Sequence, residues 1–282
     1  MQHQEGVFMG VRGAGLYYQG WLPEGEVRAV LLIVHGLAEH SGRYMNVVNR
    51  FVPLGYAVYG IDHVGHGRSE GRRLYVECFA DYTEPLKTYF DMIQCWQPDK
   101  PVFLVGHSMG GLIGALYLLA HQKGLAGAVL SGPAVKAPSN IPAVIIFVGR
   151  ALSVLFPRVG LVPPVDAEGV CRDPAVVKAY LADPLVCRGK MTARLGAELI
   201  GAMERVGSEA NRVTLPVLIL QGGADRLVDP SGAKILYEKV ASSDKKLVVY
   251  EGFFHEVFNE PQHDRVLSDV ERWLEGHHPI RK

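Results

Sequence analysis

Short apolar runs rich in β-branched residues recur along the chain, and each ends in glycine, aspartate or another turn-forming residue. Such runs stand at 29–34, 57–61, 102–105, 128–130, 217–220 and 247–250. They show little alternation of apolar and polar positions, as expected for strands buried on both faces of a parallel sheet. Helical spacing of apolar residues fills the gaps at 43–52, 79–95, 110–121, 231–240 and 264–274. Gly124 is expected to cap the third helix at its C-terminus, and Asp229-Pro230 to supply the N-cap and first residue of the fourth. Strands alternating with helices predict a doubly wound α/β architecture. Ahead of this pattern, 7–12 and 16–21 flank Gly13-Ala14-Gly15 and predict a hairpin.

The alternation breaks between about Pro133 and Asn211. Pro138, Pro142, Pro157, Pro163, Pro164, Pro174 and Pro184 punctuate that segment, with helical stretches between them. It is expected to be a helical cap inserted into one domain, so that 1–132 forms the first part of the core, 133–211 the cap and 212–282 the second part. Within it, 141–156 is apolar nearly all round and is interrupted by Arg150. Such a helix either packs one face on the core and offers the other to a ligand or a membrane surface, or is buried within the cap. It is too short to span a bilayer comfortably.

Composition narrows the function classes. Lysine plus arginine total 29, as do aspartate plus glutamate, so the formal net charge is zero. No basic footprint for nucleic acid exists, and no nucleic-acid partner is expected. The four cysteines, Cys78, Cys95, Cys171 and Cys187, lack C-x-x-C spacing and are expected to be reduced and structural, with a Cys171–Cys187 bridge left open. The opening MQHQEGVFMGVRG has no apolar run of the signal-peptide kind. A cytoplasmic protein, peripheral to membrane if it meets one, is the expectation. The oligomeric state is not legible.

The clearest chemical signal is Gly106-His107-Ser108-Met109-Gly110, a G-x-S-x-G pentapeptide between the 102–105 strand and the 110–121 helix. A serine on a tight strand-to-helix turn needs neighbours without Cβ atoms, so that its Oγ projects from the turn. The helix start behind it adds positive backbone dipole where negative charge would develop. Serine is a poor nucleophile without a base and an orienting acid. Asp225 lies in the loop ending the 217–220 strand, and His255 follows the 247–250 strand. Acid and imidazole thus leave adjacent strands at their carboxyl ends, where such folds build sites. Asp229 competes but suits an N-cap better, and Glu251 lies too close to its strand end. His263, His277 and His278 belong to the surface of the final helix region.

A tetrahedral oxyanion also needs backbone donors. One is expected from the amide of Met109, the other from the Leu37 amide in His35-Gly36-Leu37-Ala38, with His35 bracing that turn. His35 and His40 accompany no known metal-ligand spacing, so no metal is expected. The loop from Asp62 to Ser69 is expected to scaffold its neighbours, and His107 to pack and join a polar network.

These segments resemble the monoacylglycerol lipase and lysophospholipase-like branch of the α/β-hydrolases. The resemblance rests on HGLAEHSGRY at 35–44, DHVGHGRSEG at 62–71, GHSMGG at 106–111, QGGADRLVD at 221–229 and FHEVFNE at 254–260. It implies an α/β-hydrolase fold, with a mostly parallel central sheet flanked by helices and an inserted helical cap. It also implies a Ser108, Asp225 and His255 triad with oxyanion amides at Leu37 and Met109. Some animal members carry a cysteine three residues after the triad acid; Val228 stands there. The implied activity is serine hydrolysis of lipid-like carboxylic esters, with monoacylglycerol first; the acyl-transfer chemistry needs no cofactor, and the apolar cap is expected to allow transient membrane contact. An esterase of shorter or non-glyceride esters, a lysophospholipase, and a non-hydrolytic binding protein or transferase stay open at this point.

Overall fold

The computed structural model describes residues 1–137 and 143–277. The strands are β1 (Gln2–Met9), β2 (Gly15–Leu22), β3 (Ala29–Val34), β4 (Tyr56–Ile61), β5 (Val102–His107) and β6 (Gly127–Ser131), then β7 (Gly160–Val162) and β8 (Met191–Thr192), and finally β9 (Val217–Gly222) and β10 (Lys245–Tyr250). All but β7 and β8 form one sheet in the order β1-β2-β4-β3-β5-β6-β9-β10. The β1–β2 and β2–β4 pairs are antiparallel; every pair from β4 to β10 is parallel. Every residue of β3 is fully buried, which is why its sequence does not alternate.

Helices cover both faces. On one side α2 (Ala80–Trp96), α3 (Met109–His121) and α7 (Ser231–Lys239) pack through Leu86, Leu112 and Leu236. On the other, α1 (Met45–Phe51) and α8 (His263–Gly276) pack through Phe51 and Leu267. Between β6 and β9 the chain forms α4 (Ala143–Leu155), the β7–β8 ribbon with α5 (Pro174–Ala182) inside it, and α6 (Ala193–Glu209). Helix α6 packs on both α4 and the core helix α3, so this segment is seated over the sheet's helical layer. Asp173 caps α5 by accepting from Ala175 N–H with Pro174 at the first position, and Thr192 caps α6 through Leu195 N–H.

The register brings strand ends together. Val34 pairs with Gly106, His107 with Ser131, Ser131 with Leu220, and Gly222 with Tyr250. The loops that follow β3, β5, β6, β9 and β10 therefore share one edge, the carboxyl edge of a doubly wound sheet.

Several expectations change in detail. The hairpin is longer and turns earlier, with a 3-10 turn at Val11–Gly13. Gly124 does not cap α3, which ends at His121; it closes a following 3-10 turn, and a Cβ there would press on the Phe90 ring at 2.8 Å. Pro230 rather than Asp229 is the N-cap residue of α7, although the Asp229 side chain still accepts from Ser231 N–H at 2.9 Å. All four cysteines are free thiols, so Cys171 and Cys187 are not bridged. Helix α4 is not wholly buried, because Phe147 is 73% and Leu155 70% exposed. Pro138, Ile141, Pro142 and His278 lie outside the described residues. No described helix is long and apolar enough to cross a membrane.

Candidate active site

Ser108 joins β5 to α3 with φ 55° and ψ −118°, a backbone that costs a non-glycine residue about 1–3 kcal/mol. Its surroundings hold it there. Ser108 N–H donates to Ser131 O at 2.9 Å, and Ala134 N–H donates to Ser108 O at 3.1 Å. The flanking glycines are required by close approach: a Cβ on Gly110 would overlap the Val34 and His35 carbonyl oxygens, and one on Gly106 the Gly110 carbonyl. Met109 opens α3, so its amide belongs to the first turn, where N–H groups have no acceptor within the helix.

His255 and Asp225 meet from loops 30 residues apart in sequence. His255 Nδ1 donates to Asp225 Oδ2 at 2.7 Å, with the two side chains 5% and 0% exposed. The carboxylate is otherwise saturated. Oδ2 also accepts from Gln221 Nε2 at 3.0 Å, and Oδ1 from the amides of Leu227 at 2.9 Å and Val228 at 3.0 Å. Burial pushes this carboxyl up, but the His255 hydrogen bond and the two amides outweigh it and hold it below the usual aspartate value. An ionised Asp225 cannot donate, so His255 carries its proton on Nδ1 and leaves Nε2 with a lone pair. Gly132, with φ 49°, leaves room for the ring, since a Cβ there would lie 3.2 Å from His255 Cε1.

The competing residues are engaged otherwise, although Asp229 lines the same cavity as Ser108 and His255. Asp229 pairs with Lys136 Nζ at 2.5 Å. Glu251 is exposed. His263 donates to the Glu260 carbonyl, and His277 stacks on Trp273 at 4.2 Å and reaches Asp244.

Ser108, Asp225 and His255 line one cavity of about 690 Å³ together with Leu37 and Met109. That volume is in the range that encloses a drug-sized ligand. Its remaining wall is largely apolar, with Val165, Met191, Leu199, Met203 and Leu227 among its members. A second recess of about 20 Å³ is also lined by Ser108 and His255 and shares Leu37 and Val165 with the first. Its lining includes Glu39, Arg43, His107, Tyr180 and Glu256, although most of its exposed wall is apolar. By volume it takes a hydroxyl or a water, not a hydrocarbon chain.

A buried ion network stands behind that recess. Arg43 Nη1 donates to Glu39 Oε2 at 2.9 Å and to Glu256 Oε1 at 2.6 Å, while Nη2 reaches Glu256 Oε2 at 2.9 Å. Tyr44 O–H and Gly36 N–H both donate to Glu39 Oε1. Burial alone would push Glu39 up; Arg43, with His107, His35 and the Gly36 amide, together more than offset it and bring the group down to about 2. His107 lies 4.7 Å from the His255 ring, and burial with that neighbour lowers it to about 4, so it is neutral at pH 7. His35 accepts from His63 N–H at 3.0 Å and bonds the Gly36 carbonyl through Nδ1, bracing the turn that leads to Leu37. Asp62 takes Ser41 N–H and Oγ–H on one oxygen and Arg68 N–H on the other, tying its loop to the loop after β3.

The expected site residues are therefore brought to one cavity. The sequence reading missed Gln221 and the Glu39–Arg43–Glu256 network. Each falls inside a segment that carried the resemblance, but partners 213 residues apart leave no local spacing to read.

Comparison with known proteins follows the same lines. The family described as serine aminopeptidase, S33 (Hydrolase_4) matches residues 25–262. A monoacylglycerol lipase of Mycolicibacterium smegmatis is 40% identical over 270 residues, covering 96% of each chain. The human monoglyceride lipase is 36% identical over 265 residues, covering 93% of this chain and 87% of its own. The crystal structure of a Paleococcus ferrophilus monoacylglycerol lipase superimposes with a TM-score of 0.84 at 30% identity, over 93% of this chain and 99% of that one.

Proposed function

Because the chain belongs to the Hydrolase_4 family, in its monoacylglycerol lipase branch, we propose that it hydrolyses the ester bond of monoacylglycerols. It is a serine carboxylic ester hydrolase. The observation that carries the substrate reading is that Ser108 and His255 line two recesses of unlike size, a largely apolar cavity of about 690 Å³ and a recess of about 20 Å³. A long acyl chain fits the first, and a hydroxyl of a glycerol leaving group suits the second. The 133–211 segment acts as the cap of the apolar recess, to which it contributes Pro163, Val165, Met191, Leu199 and Met203.

The reaction runs in two halves. Ser108 Oγ attacks the ester carbonyl while its proton passes to His255 Nε2, and the resulting imidazolium is stabilised by ionised Asp225. The oxyanion is held by the Leu37 and Met109 amides. Collapse of the intermediate breaks the bond to the alcohol, which leaves with the proton from Nε2. Water then gives its proton to Nε2 and its oxygen to the acyl carbon, releasing the fatty acid and restoring Ser108. What supports these roles is the 2.7 Å Asp225–His255 pair, the strained Ser108 turn and their common cavity.

The reading extends to where the enzyme finds its substrate. Phe147 and Leu155 of α4 continue into exposed Phe156, Val159, Leu161 and Val162, an apolar run on the cap's outer side. Exposed cations border it. Arg72 Nη2 donates to the Arg158 carbonyl at 3.4 Å, Arg158 lies over the Tyr75 ring, and a Cβ on Gly160 would lie 2.7 Å from Lys190 Cβ. None of Arg72, Arg158 and Lys190 pairs with a carboxylate among the described residues, whereas Arg150 is neutralised by Glu204. An apolar face fringed by unpaired cations suits an anionic lipid surface.

The test is hydrolysis of monoacylglycerols of increasing chain length beside nitrophenyl esters, using wild type and Ser108→Ala. Wild type is expected to prefer medium and long monoacylglycerols, and the variant to lose on the order of 10⁶ in kcat. Preference for acetate esters with no glyceride hydrolysis would replace the substrate reading; an active Ser108→Ala would remove the nucleophile.

A further inference from the structure

The residue after Leu37 has a backbone that depends on outside restraint. Ala38 is fully buried and has φ 66°, although it carries a Cβ. Such conformations persist where surrounding contacts over-determine them. The loop is restrained from two sides. From the core, Gly36 N–H donates to Glu39 Oε1 at 2.6 Å. From the inserted segment, Cys187 N–H donates to the Ala38 carbonyl at 2.8 Å.

A half-buried side-chain pair fixes the same contact. Gly42 N–H donates to His40 Nδ1 at 3.2 Å, so Nδ1 is the acceptor and Nε2 carries the proton. That proton goes to Asp183 Oδ2 at 2.9 Å, with the His40 and Asp183 side chains 9% and 24% exposed. The other carboxylate oxygen accepts from Leu185 N–H at 2.8 Å and turns the chain from the end of α5 toward Cys187. Val186, between them, is buried with Val170, Cys171 and Tyr180. The stretch 183–187 is therefore a short strap, anchored in the inserted segment and fastened at two points to the loop that carries Leu37.

We propose that His40 and Asp183 are a positioning pair for the oxyanion hole, through which the inserted segment sets the Leu37 amide that receives the developing negative charge. This rests on the Ser108 and Leu37 assignments above. Neither residue touches the reacting atoms. Their effect passes through Ala38: if the strap slackens, this non-glycine residue relaxes toward negative φ, and the turn from Gly36 through Leu37 shifts with it. A donor displaced in this way weakens the transition state more than the bound ester, because the charge exists only in the former.

Asp183→Ser keeps a short oxygen for Leu185 N–H but cannot reach His40, whereas His40→Gln places an amide N–H near the position of Nε2 and can still donate to Asp183. The pair of variants is assayed on nitrophenyl butyrate and laurate and on the thionoester of the butyrate, whose sulfur is a weak hydrogen-bond acceptor. For Asp183→Ser, kcat is expected to fall about 10- to 100-fold on both esters with KM within about threefold of wild type. The ester-to-thionoester ratio of kcat/KM should shrink, which a general loosening of the fold would not produce. His40→Gln should stay within about threefold of wild type, and combining Asp183→Ser with His40→Ala should be no worse than the more impaired single variant. If Asp183→Ser does not fold, His40→Ala breaks the same link from the other end and is read identically. Unchanged kcat, equal losses on ester and thionoester, or additive single losses would overturn the pair. Ser108→Ala separates the two levels: if it stays active, the underlying site reading falls, and if it is dead while Asp183→Ser is normal, only the strap falls.

Discussion

Asp225 shows what one side chain contributes here. Both of its oxygens are saturated with donors, two of them backbone amides that cannot change role. Asp225→Asn must turn its NH₂ toward those amides or toward Gln221 and His255, and the latter drives the imidazole proton from Nδ1 to Nε2. The base is then lost without loss of packing, so kcat on a soluble ester should fall about 10⁴-fold with a melting curve close to wild type. A variant retaining a tenth of the activity would mean that another group orients His255. The buried imidazoles make a second, opposite kind of statement, about stability. Burial lowers His107 to about 4 and His66 to about 3, and lowers His35 and His63 as well. Above the unfolded value near 6.5 both states are neutral and this adds nothing to the pH dependence. As pH falls below 6.5 the unfolded chain takes up protons that the native state refuses, so stability drops by roughly 1.4 kcal/mol per pH unit for each such group until its folded value is reached. Urea midpoints measured from pH 7.5 to 4.5 should fall steadily; a flat profile would show that these rings become charged in place. Ser108, Asp225 and His255 were legible because each sits at a strand end with a turn signature. The rings of His63 and His66 were legible only as part of a loop, since their surroundings come from other elements.

At the scale of elements, glycine separates what the sequence reading could weigh from what it could not. Gly110 stands at the start of α3 pressed against the β3 carboxyl end, and no side chain fits there. Gly110→Ala should prevent formation of a folded, active enzyme, read as loss of soluble protein or of fluorophosphonate labelling. Gly201 lies exposed in α6 with nothing within 4 Å of a Cβ. Gly201→Ala should therefore raise stability by about 0.5–1 kcal/mol, measurable as a higher urea midpoint, and no change or a loss would place an unseen contact on that face. The G-x-S-x-G pattern predicted the first constraint, because its glycines have a geometric purpose. Gly124 misled for the same reason: its spacing fits a helix cap, while the structure uses it to let Phe90 approach. The parallel strands were placed to within a residue or two, since burial on both faces leaves an apolar run that few other elements show. Helix ends and the opening hairpin were less legible, being set by capping and strand pairing that lie outside any short window.

For the whole molecule, the inserted segment both contributes to the cavity wall and carries the exposed apolar face. Sequence left open whether the apolar 141–156 stretch was a buried helix or an outward one, because periodicity cannot choose between two partners for an all-round apolar surface. The exposure of Phe147, Leu155 and Phe156 answers for the described part, and the unpaired Arg72, Arg158 and Lys190 beside them give the surface a sign. A bilayer contact made by apolar area alone would be indifferent to lipid charge. One assisted by three cations gains roughly 1 kcal/mol from each near an anionic surface, or on the order of 100-fold together. The combined variant Arg72→Gln, Arg158→Gln, Lys190→Gln should then bind vesicles containing about one phosphatidylserine in five some 100-fold more weakly than wild type, with the difference shrinking as salt is raised. On pure phosphatidylcholine vesicles the two proteins should bind alike. On a soluble ester they should turn over alike, because none of the three residues lines the cavity. Equal binding to charged and neutral vesicles by wild type would reduce this face to its apolar area, and a loss of soluble-ester activity in the variant would tie these cations to the cap itself rather than to a membrane.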